Sequence, residues 1–555
     1  MRRAARAATV AGFAVVLASA FIATAPTLRA ADDGFFHPEA GRLLVRSFSA
    51  NEYGTNPQVW TMLQRADGVR YFGCYGGIAE YDGSTWQALP SPLGSFRGFA
   101  QTPDGRVYFT ATSDLGWIDH AADGSLRLQS LLAALPPEAL PTGPFAELAV
   151  FDGKLHISTT KGVVRWDGRA VDRFWPMEGT RTPRLALVGG KLWFRRMGTA
   201  EIFELRGDAW AKVIDDPWLN GKPVQFVVTA ADGGPVIGVE PGGLFRVQPD
   251  GRLTPWSTPA DAILNRAQLY SASTLRDGAI AVGTFSDGLV LISPDGKKAR
   301  QVTLRDGLPS NVIQGIGTDR DGRVWLGTYN GIATFEWPTV FTVFDQRDGV
   351  DAAMIRSMCR YDGRVVLGGV GGVAMIEPRT VGQLDAARIV RFSGLEVMNS
   401  APVQHSSGLV HGGPGGLKTL RDGKAEVLLA FDDNLIFLEP TPDNPDRLLF
   451  ASQKGIGSVL YENGRWRSEG YAAGYGQISI QVRQSADGTI WTRNAAGEGF
   501  RVRPPRLSTG APDWARAEVT PFSAIPGWLK EKSVEWAIVN TSAGLTAMTQ
   551  AGILV

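Results

Sequence analysis

The sequence predicts an all-β protein made of tandem β-propellers, and three observations support this prediction. Asp-Gly and Asn-Gly pairs recur between short runs of β-branched and aromatic residues, which is the pattern of β-hairpins. The pairs return about every 43 residues, and a period of about 40–50 residues is typical of propeller blades. Glycine supplies 67 of the 555 residues, as expected for a chain with many tight turns.

The clearest repeat runs from Ile313 to Glu336, IQGIGTDRDGRVWLGTYNGIATFE. It divides into three short strands separated by turns at Asp321-Gly322 and Asn330-Gly331. Type I′ hairpin turns need a positive φ at both central residues, and these pairs tolerate it, so we expect such turns at both positions. Twelve copies of the repeat align on the first turn, from Asp67-Gly68 to a last, weak copy near Ser542 to Gly544.

The copies also predict the domain organisation. Seven precede Trp337-Pro338 and five follow it. We therefore expect a seven-bladed β-propeller at residues 31–345. We expect a second β-propeller at residues 346–555. It would have about seven blades in full, but it has about five in this chain and is therefore incomplete. The short second ring favours a truncated part of a longer polypeptide. The alternative is that the chain ends interlock, with Leu43–Phe48 adding an outer strand that closes a ring.

The first 30 residues predict an export signal. Three arginines within the first six residues precede an apolar stretch and a small-residue cleavage site. The stretch is shorter than the roughly 20 residues that span a membrane, so we expect residues 1–30 to be a cleaved signal peptide and the protein to be periplasmic. Cleavage removes four arginines and takes the formal net charge from +1 to −3. A weakly acidic protein argues against nucleic acid as a partner.

Residues 306–336, DGLPSNVIQGIGTDRDGRVWLGTYNGIATFE, closely resemble the two-component-regulator propeller repeat. Leu308-Pro309-Ser310-Asn311 matches the linker that leads into each blade of that family. The resemblance extends more loosely over about residues 42–555. It implies the periplasmic sensor region of a hybrid histidine kinase or of a membrane-bound diguanylate cyclase. No kinase histidine box, GGDEF-type motif or stop-transfer helix occurs in the sequence, so the resemblance implies sensing and not kinase or cyclase activity in these residues.

The sequence gives little support for catalysis, a cofactor or a metal site. Gly368–Gly372 resembles a dinucleotide-binding loop, but a strand is expected after it and not the helix that such a loop needs. His405 and His411 lack the close spacing and additional ligands of a metal site. Cys74 and Cys359 occupy different repeat positions, so we expect two buried thiols, with a structural disulfide as the less favoured alternative. The predictions are therefore no catalytic residue, no cofactor and no metal.

The turn between the second and third strands varies in side chain from repeat to repeat, whereas the Asp-Gly turn is nearly constant. Blade geometry places the variable turns on one rim of a propeller. A constant backbone with varied polar side chains can form a binding surface, although neutral variation on a solvated loop gives the same pattern. The candidate ligand-binding residues on this rim are Tyr75, Asp114, Lys161, Arg196, Glu240, Asp287, Tyr329, Asn330 and Lys454.

These observations favour an extracytoplasmic ligand-binding sensor module that relays ligand occupancy to an output domain absent from this chain. The expected ligand is a small molecule or an oligosaccharide. We expect membrane contact only through a missing C-terminal segment, and a homodimer formed through the sensor region is possible. Two alternatives stay open. One is a secreted propeller glycosidase or polysaccharide lyase, although the acids are too evenly spread to nominate a catalytic pair. The other is a protein-interaction platform.

Overall fold

The computed structural model describes residues 34–525, apart from 141–142, 146, 178–182, 197–200, 215, 351–354, 370–371, 381, 393–401 and 422–423, and the backbone of residues 536–541, 544–549 and 552–554. The chain forms two compact units. The first unit consists of Asp33–Val343 and Arg379–Ala387, and the second of Phe344–Pro378 with Arg388–Val555. The return of Arg379–Ala387 to the first unit is not part of the sequence prediction. The predicted signal peptide at residues 1–30 lies outside the described residues.

The described part of the first unit contains seven antiparallel sheets, which we call blades 1 to 7. Strand β1 (Arg46–Phe48) and helix α1 (Ala50–Tyr53) come before them. Blade 1 has the strands β2 (Val59–Gln64), β3 (Arg70–Tyr81) and β4 (Trp86–Ser95). Blade 2 has β5 (Gly98–Gln101), β6 (Val107–Thr110), β7 (Leu115–His120) and β8 (Leu126–Ser130). Blade 3 has β9 (Leu148–Phe151), β10 (Lys154–Thr159), β11 (Gly162–Trp166) and β12 (Val171–Pro176).

The remaining blades of the first unit repeat this order. Blade 4 has β13 (Pro183–Val188), β14 (Lys191–Arg196), β15 (Ile202–Arg206) and β16 (Ala209–Lys212). Blade 5 has β17 (Val224–Thr229), β18 (Pro235–Val239), β19 (Gly243–Val247) and β20 (Leu253–Pro255), followed by α2 (Asp261–Leu264). Blade 6 has β21 (Leu269–Thr274), β22 (Ile280–Thr284), β23 (Leu289–Ile292) and β24 (Ala299–Val302). Blade 7 has β25 (Ile313–Thr318), β26 (Arg323–Thr328) and β27 (Gly331–Glu336), with β1 as its fourth strand.

The second unit continues the same antiparallel pattern. Its first sheet has β28 (Ile355–Tyr361), β29 (Arg364–Gly369), β30 (Gly372–Glu377) and β31 (Arg388–Arg391). A six-stranded sheet has β32 (Val403–His405), β33 (Gly408–Arg421), β34 (Lys424–Thr441), β35 (Asn444–Ser452), β36 (Ile456–Glu462) and β37 (Arg465–Tyr471). Two further sheets have β38 (Ser479–Gln484), β39 (Ile490–Asn494), β40 (Gly499–Arg503) and β41 (Glu518–Pro521), then β42 (Trp536–Thr541), β43 (Gly544–Thr549) and β44 (Gly552–Leu554).

Helical structure is limited in the described residues. Besides α1 and α2 there are short 3-10 turns at Gly34–Phe36, Leu132–Ala134, Pro137–Ala139, Pro217–Leu219, Leu304–Asp306, Gln346–Asp348, Trp514–Arg516 and Phe522–Ala524. Within the part of the chain that is described, none of the helices has the length and apolar character needed to cross a bilayer.

The hairpins form where the sequence predicts them, but the predicted turn type is wrong at both turns of the clearest repeat. At Asp321-Gly322 only Gly322 has a positive φ, of 86°, and at Asn330-Gly331 only Gly331 does, with 129°. The first turn is a three-residue loop, in which Asp319 N–H donates to the Arg323 carbonyl and Gly322 N–H to the Asp319 carbonyl. Such loops need a left-handed residue only at the glycine. Both residues are left-handed at Asp152-Gly153, with φ of 50° and 72°.

The core of the first unit lies between neighbouring blades. A separate buried apolar cluster fills each blade-to-blade junction, from blades 1 and 2 round to blades 7 and 1. The innermost strands β2, β5, β9, β13, β17, β21 and β25 each contact the next, and β25 contacts β2. The sheets of the first unit therefore form a closed ring around these strands.

The junction between blades 7 and 1 closes this ring. β1 pairs antiparallel with β27, so an N-terminal strand closes a ring as the sequence alternative expects. Only Arg46–Phe48 is a strand, and this pairing does not join the two ends of the chain. Phe48 stacks on Trp325 of blade 7, with ring centroids 6.0 Å apart. The carboxylate of Asp319 is fully buried and accepts hydrogen bonds from Arg70 Nη2 at 2.8 Å and Trp325 Nε1 at 2.9 Å. Arg70 belongs to blade 1, so this carboxylate joins the first and last blades.

Replacing Asp319 by alanine should destabilise the first unit by about 3–5 kcal/mol, because it leaves Arg70 without its buried partner. Calorimetric unfolding of the full chain measures the loss. Burial opposes ionisation of Asp319, but hydrogen bonds from Trp325 and Arg70 outweigh it and lower the pKa of the carboxyl. A lowered folded-state pKa gives stability that is present above the unfolded pKa and is lost as the pH falls. The stability difference between wild type and Asp319→Asn should therefore narrow on acidification.

Asp321→Ala is the control, because the Asp321 side chain is 84% exposed and its carboxylate comes no closer than 4.0 Å to the Arg70 guanidinium. It should change the stability by less than about 0.5 kcal/mol. Equal losses for the two alanine variants would contradict the role assigned to Asp319.

Candidate functional site

A cavity of about 300 Å³ lies at the centre of the first unit. It is lined by residues at the start of all seven innermost strands. Seven large side chains occupy equivalent places there, one from each blade in order: Trp60, Arg97, Glu147, Arg184, Gln225, Tyr270 and Gln314. We call these the seven cavity residues. Arg195, on the second strand of blade 4, also lines the cavity.

A β-bulge places four of the cavity residues. In blades 1, 5, 6 and 7, the pairing of the first two strands skips the second residue of the innermost strand, which is Trp60, Gln225, Tyr270 or Gln314. A bulge leaves one residue out of the ladder and redirects its side chain. The apolar residue just before each bulge, such as Val59 or Ile313, is fully buried. The bulge thus puts a polar or aromatic side chain beside the axis without disturbing the apolar junctions.

Two of the cavity arginines are held by neighbouring blades. Arg184 and Arg195 lie opposite each other on β13 and β14, where like charges repel. Arg184 Nη1 donates to Glu147 Oε1 of blade 3 at 2.9 Å. Arg195 Nη1 donates to the Val224 carbonyl of blade 5 at 2.5 Å. The Glu147 charge raises the pKa of Arg184, and burial lowers the pKa of Arg195 to about 9, so both remain cationic at neutral pH.

Arg97 differs from these two arginines. Its guanidinium lies over the Trp60 ring, with Cζ 4.4 Å from the ring centroid. Its side chain makes no ion pair or hydrogen bond with the described residues, and its Nε is buried. Burial lowers the pKa of Arg97, and the like charge of Arg184 adds to this effect. The cavity residues therefore include one half-buried cation that the described protein does not neutralise.

Two more polar atoms of the cavity residues are buried without a hydrogen-bond partner in the described protein, namely Trp60 Nε1 and Gln314 Oε1. Each unsatisfied buried group costs about 1–3 kcal/mol of stability. All three atoms are closed to solvent, so their missing partners are a cost of the fold and not contacts that the cavity offers to a ligand.

The predicted rim residues lie at or beside the turns between second and third strands, except Tyr75, which lies in the middle of the long strand β3 where its pairing changes from β2 to β4. Tyr75 and the first residue of the turn in blades 5, 6 and 7 each donate a backbone N–H to a carbonyl just before the innermost strand, as Tyr75 does to Gln58 at 3.0 Å and Glu240 to Pro223 at 3.1 Å. The variable turns are therefore at the same end of the blades as the cavity residues. Gln225 of the cavity donates to the Glu240 carboxylate of the rim at 3.0 Å.

Several predicted rim residues are engaged within the protein. Asp114 accepts from Ser130 Oγ at 2.8 Å, and Asp287 pairs with Arg266 at 3.1 Å. Lys454, which lies in the second unit, pairs with Asp432 at 3.0 Å. Lys161 and Asn330 are exposed. The side chain of Arg196 lies outside the described residues, whereas its neighbour Arg195 lines the cavity.

Exposed aromatic side chains follow the rim of the first unit over four consecutive blades. They are Trp218 beside blade 5, Phe285 in blade 6, Tyr329 in blade 7 and Tyr75 in blade 1, with exposed fractions of 39%, 42%, 55% and 52%. A side-chain carbon at Gly242, in the variable turn of blade 5, would lie 2.9 Å from the Trp218 ring. The Phe285 ring is 6.0 Å from that of the cavity residue Tyr270. The aromatic rim and the cavity therefore meet.

The sequence prediction missed all seven cavity residues. Each lies seven residues before its Asp-Gly pair in blades 1, 2, 5, 6 and 7, and five residues before the corresponding pair in blades 3 and 4. Aligning the repeats on that pair therefore brings them into register. Large polar or aromatic side chains at one repeat position, next to constant apolar ones, are the signal that could have found them.

The other predicted features of the sequence show no site in the described residues. Strand β29 ends at Gly369 and strand β30 begins at Gly372, so a strand follows the glycine-rich segment, as expected. His405 contacts Ser407 and Asp446, and His411 is buried with its pKa lowered by burial to about 4. Cys74 and Cys359 are free thiols, of which Cys74 is buried as expected and Cys359 is only half-buried. No group of three metal-ligating side chains occurs in the described part of the chain.

The second unit offers a smaller cavity, of about 40 Å³, lined mainly by glycine and apolar residues. Bulges recur within its strands β28, β34 and β38, where they skip Arg356, Ile436 and Ile480. The same backbone device thus carries one arginine and two isoleucines. We place the candidate site in the first unit because its cavity is the larger of the two.

Comparisons with known proteins agree with this fold. Residues 307–330 match the family model described as two component regulator propeller, which confirms the predicted resemblance at this repeat. No curated protein matches the chain. The chain is similar to the solved extracellular domain of the hybrid two-component system BT3049 from B. thetaiotaomicron, with 15% identity, a TM-score of 0.66 and coverage of 92% of this chain and 70% of that chain. The predicted all-β propeller fold class is confirmed.

Two further solved structures match at lower TM-scores. The extracellular domain of the one-component system BT4673 from B. thetaiotaomicron has 15% identity, a TM-score of 0.44 and coverage of 92% of this chain and 71% of that chain. A virginiamycin B lyase from Staphylococcus aureus has 12% identity, a TM-score of 0.42 and coverage of 53% of this chain and 98% of that chain.

Replacing Glu147 by glutamine should lower the stability of the first unit by about 1–3 kcal/mol, because Arg184 loses its counter-ion in a half-buried site. Such a loss corresponds to a fall in melting temperature of about 2–10 °C, which differential scanning calorimetry detects. Glu336→Gln is the matched control, since Glu336 is 72% exposed and pairs only with Arg323. An equal effect of the two substitutions would show that the ion pair in the cavity contributes no more to stability than an exposed ion pair does.

Proposed function

We propose that this protein is an extracytoplasmic sensor module whose first unit binds a small molecule or an oligosaccharide. The observation that carries the proposal is the continuous surface formed by the aromatic rim and the polar cavity. In this proposal ligand occupancy is relayed to an output domain that these residues do not include. Export by the signal peptide at residues 1–30 is part of the proposal, as is a homodimer formed through the sensor region.

The chemistry of the rim supports a sugar ligand. Exposed aromatic rings stack on the apolar C–H faces of sugar rings, and aromatic side chains often dominate binding energies. Isolated exposed hydrophobic side chains need no explanation, but exposed rings on four consecutive blades mark an interaction surface. Polar groups of the cavity would fix the orientation of the ligand, as in most small-molecule sites.

The resemblance of the repeat supports the sensing role. Residues 307–330 match the two component regulator propeller model. The chain also has the fold of a domain described as the extracellular part of a hybrid two-component system. A sensor needs selective binding without turnover, and this requirement separates the proposal from a propeller glycosidase or lyase.

Thermal-shift measurements of the purified chain with a panel of oligosaccharides test the proposal. A ligand present at about 100 times its Kd should stabilise the binding unit by about 2.7 kcal/mol. The same ligand should be recovered chemically unchanged after long incubation, as judged by mass spectrometry. Cleavage of the stabilising ligand would contradict the sensor function and favour an enzyme. If no sugar stabilises the chain, the proposed ligand class is contradicted.

Simultaneous alanine substitution of Arg196, Glu240 and Tyr329 should abolish binding of the ligand found in that screen. The variant removes two polar side chains and one exposed ring from three blades of the same rim. Binding is measured by isothermal titration calorimetry on variants whose melting temperature is preserved.

Leu187→Ala is the control. Leu187 is 52% exposed and lies near the end of β13, next to the constant turn on the opposite rim. This substitution should leave the affinity unchanged. Unchanged affinity of the triple variant would exclude the predicted rim residues as the binding surface.

A further inference from the structure

The charges of the first-unit cavity indicate what kind of ligand enters it. Its charged lining residues are Arg97, Arg184, Arg195 and Glu147, which together carry a formal charge of +2. The acidic residue of this lining, Glu147, is already engaged within the protein. Glu147 accepts from Arg184 Nη1 at 2.9 Å with one oxygen and from the Leu185 backbone N–H at 2.6 Å with the other.

The hydrogen-bond donors left over belong to Arg97 of blade 2. Arg195 is directed to backbone carbonyls of blade 5, and Arg184 to Glu147. The Arg97 guanidinium lies over the Trp60 ring without a hydrogen-bond or ion-pair partner in the described protein, and of its nitrogens only Nε is closed to solvent. Guanidinium groups form their strongest hydrogen bonds with the planar or tetrahedral oxygens of anions.

We infer that the cavity of the first unit binds an oxyanion group of the ligand, with the terminal guanidinium nitrogens of Arg97 as the principal contact. The inference rests on the proposed ligand-binding function and narrows the ligand to an acidic small molecule or an acidic sugar. A carboxylate, a sulfate and a phosphate share the required chemistry.

The size of the cavity sets the size of the group that enters it. A volume of about 300 Å³ is at the lower end of small-molecule sites. It admits one monosaccharide-sized group, while the rest of a longer ligand would lie on the aromatic rim. Phe285 and Tyr270 connect the two surfaces through their rings.

Titration with simple anions at constant ionic strength tests the inference. The probes are sodium glucuronate, sodium sulfate and sodium phosphate, with glucose as the neutral analogue of glucuronate. At least one oxyanion should raise the melting temperature of the full chain, whereas glucose should raise it less or not at all. Stabilisation by glucuronate alone identifies a sugar carboxylate, and stabilisation by sulfate or phosphate alone identifies a sulfated or phosphorylated ligand.

Arg97→Met preserves the aliphatic stem over Trp60 but removes the charge. It should therefore lower the affinity for the oxyanion that stabilises the wild type at least about tenfold. Arg97→Lys should retain part of the affinity. Arg106→Met is the matched control, because Arg106 also stacks on a tryptophan of blade 2, with Cζ 5.1 Å from the Trp117 ring, and does not line the cavity. It should bind the oxyanion like the wild type.

Two results would overturn the inference: no oxyanion stabilises the wild type, or stabilisation is the same in Arg97→Met and Arg106→Met. A merely structural role of Arg97 would lower the melting temperature in every buffer and leave the oxyanion response intact, which is the second result. The oligosaccharide screen distinguishes this failure from failure of the proposed function. If a neutral sugar binds all variants equally, the oxyanion site is rejected, whereas the proposed sensor function is retained.

Discussion

Closure of the ring between blades 7 and 1 is the constraint on which the rest of the first unit depends. A propeller blade has an apolar surface on each face, and only contact with a neighbour on both sides removes it from water. β1 completes blade 7 from the N-terminal side, and the buried carboxylate of Asp319 connects this blade with Arg70 of blade 1. Without this closure, the starts of the seven innermost strands would not converge around one cavity.

Within the closed ring, one backbone device separates packing from function. The residue before each bulge packs between blades, and the bulged residue points to the axis. The first unit uses this position for Trp60, Gln225, Tyr270 and Gln314, whereas two bulges of the second unit carry Ile436 and Ile480. A polar side chain beside the axis requires partners that an isoleucine does not. The second unit has no such requirement at these two positions, but its bulge in β28 carries Arg356.

The sequence predicts the hairpins because their signals are local. Asp-Gly pairs between β-rich runs indicate a turn whatever the distant chain does, and the repeat spacing extends that signal to the whole fold. The turn type depends on loop length, which the sequence does not mark. The three-residue loop at Arg320 to Gly322 therefore differs from the two-residue turn at Asp152-Gly153 although both contain Asp-Gly.

The candidate site is predicted less well, because burial is a property of the closed ring. Asp114 and Asp287 vary between repeats as binding residues do, yet their carboxylates serve internal hydrogen bonds or ion pairs. In blade 4 the prediction names Arg196, but the arginine that lines the cavity is Arg195. Side chains alternate across a strand, so a shift of one residue exchanges the two faces. Sequence variability alone does not say which of two adjacent arginines faces the axis.

The arginine cluster is consistent with selection for binding and not for stability alone. Like charges in a confined cavity repel, and desolvation of each guanidinium adds to the loss. Two of the three arginines recover part of it by bonding across blade junctions, Arg184 to blade 3 and Arg195 to blade 5. Arg97 has only the face of Trp60. A ring selected only for packing would use an apolar residue here. A cation without a partner among the described residues therefore favours the proposed oxyanion ligand, which would supply the missing negative charge.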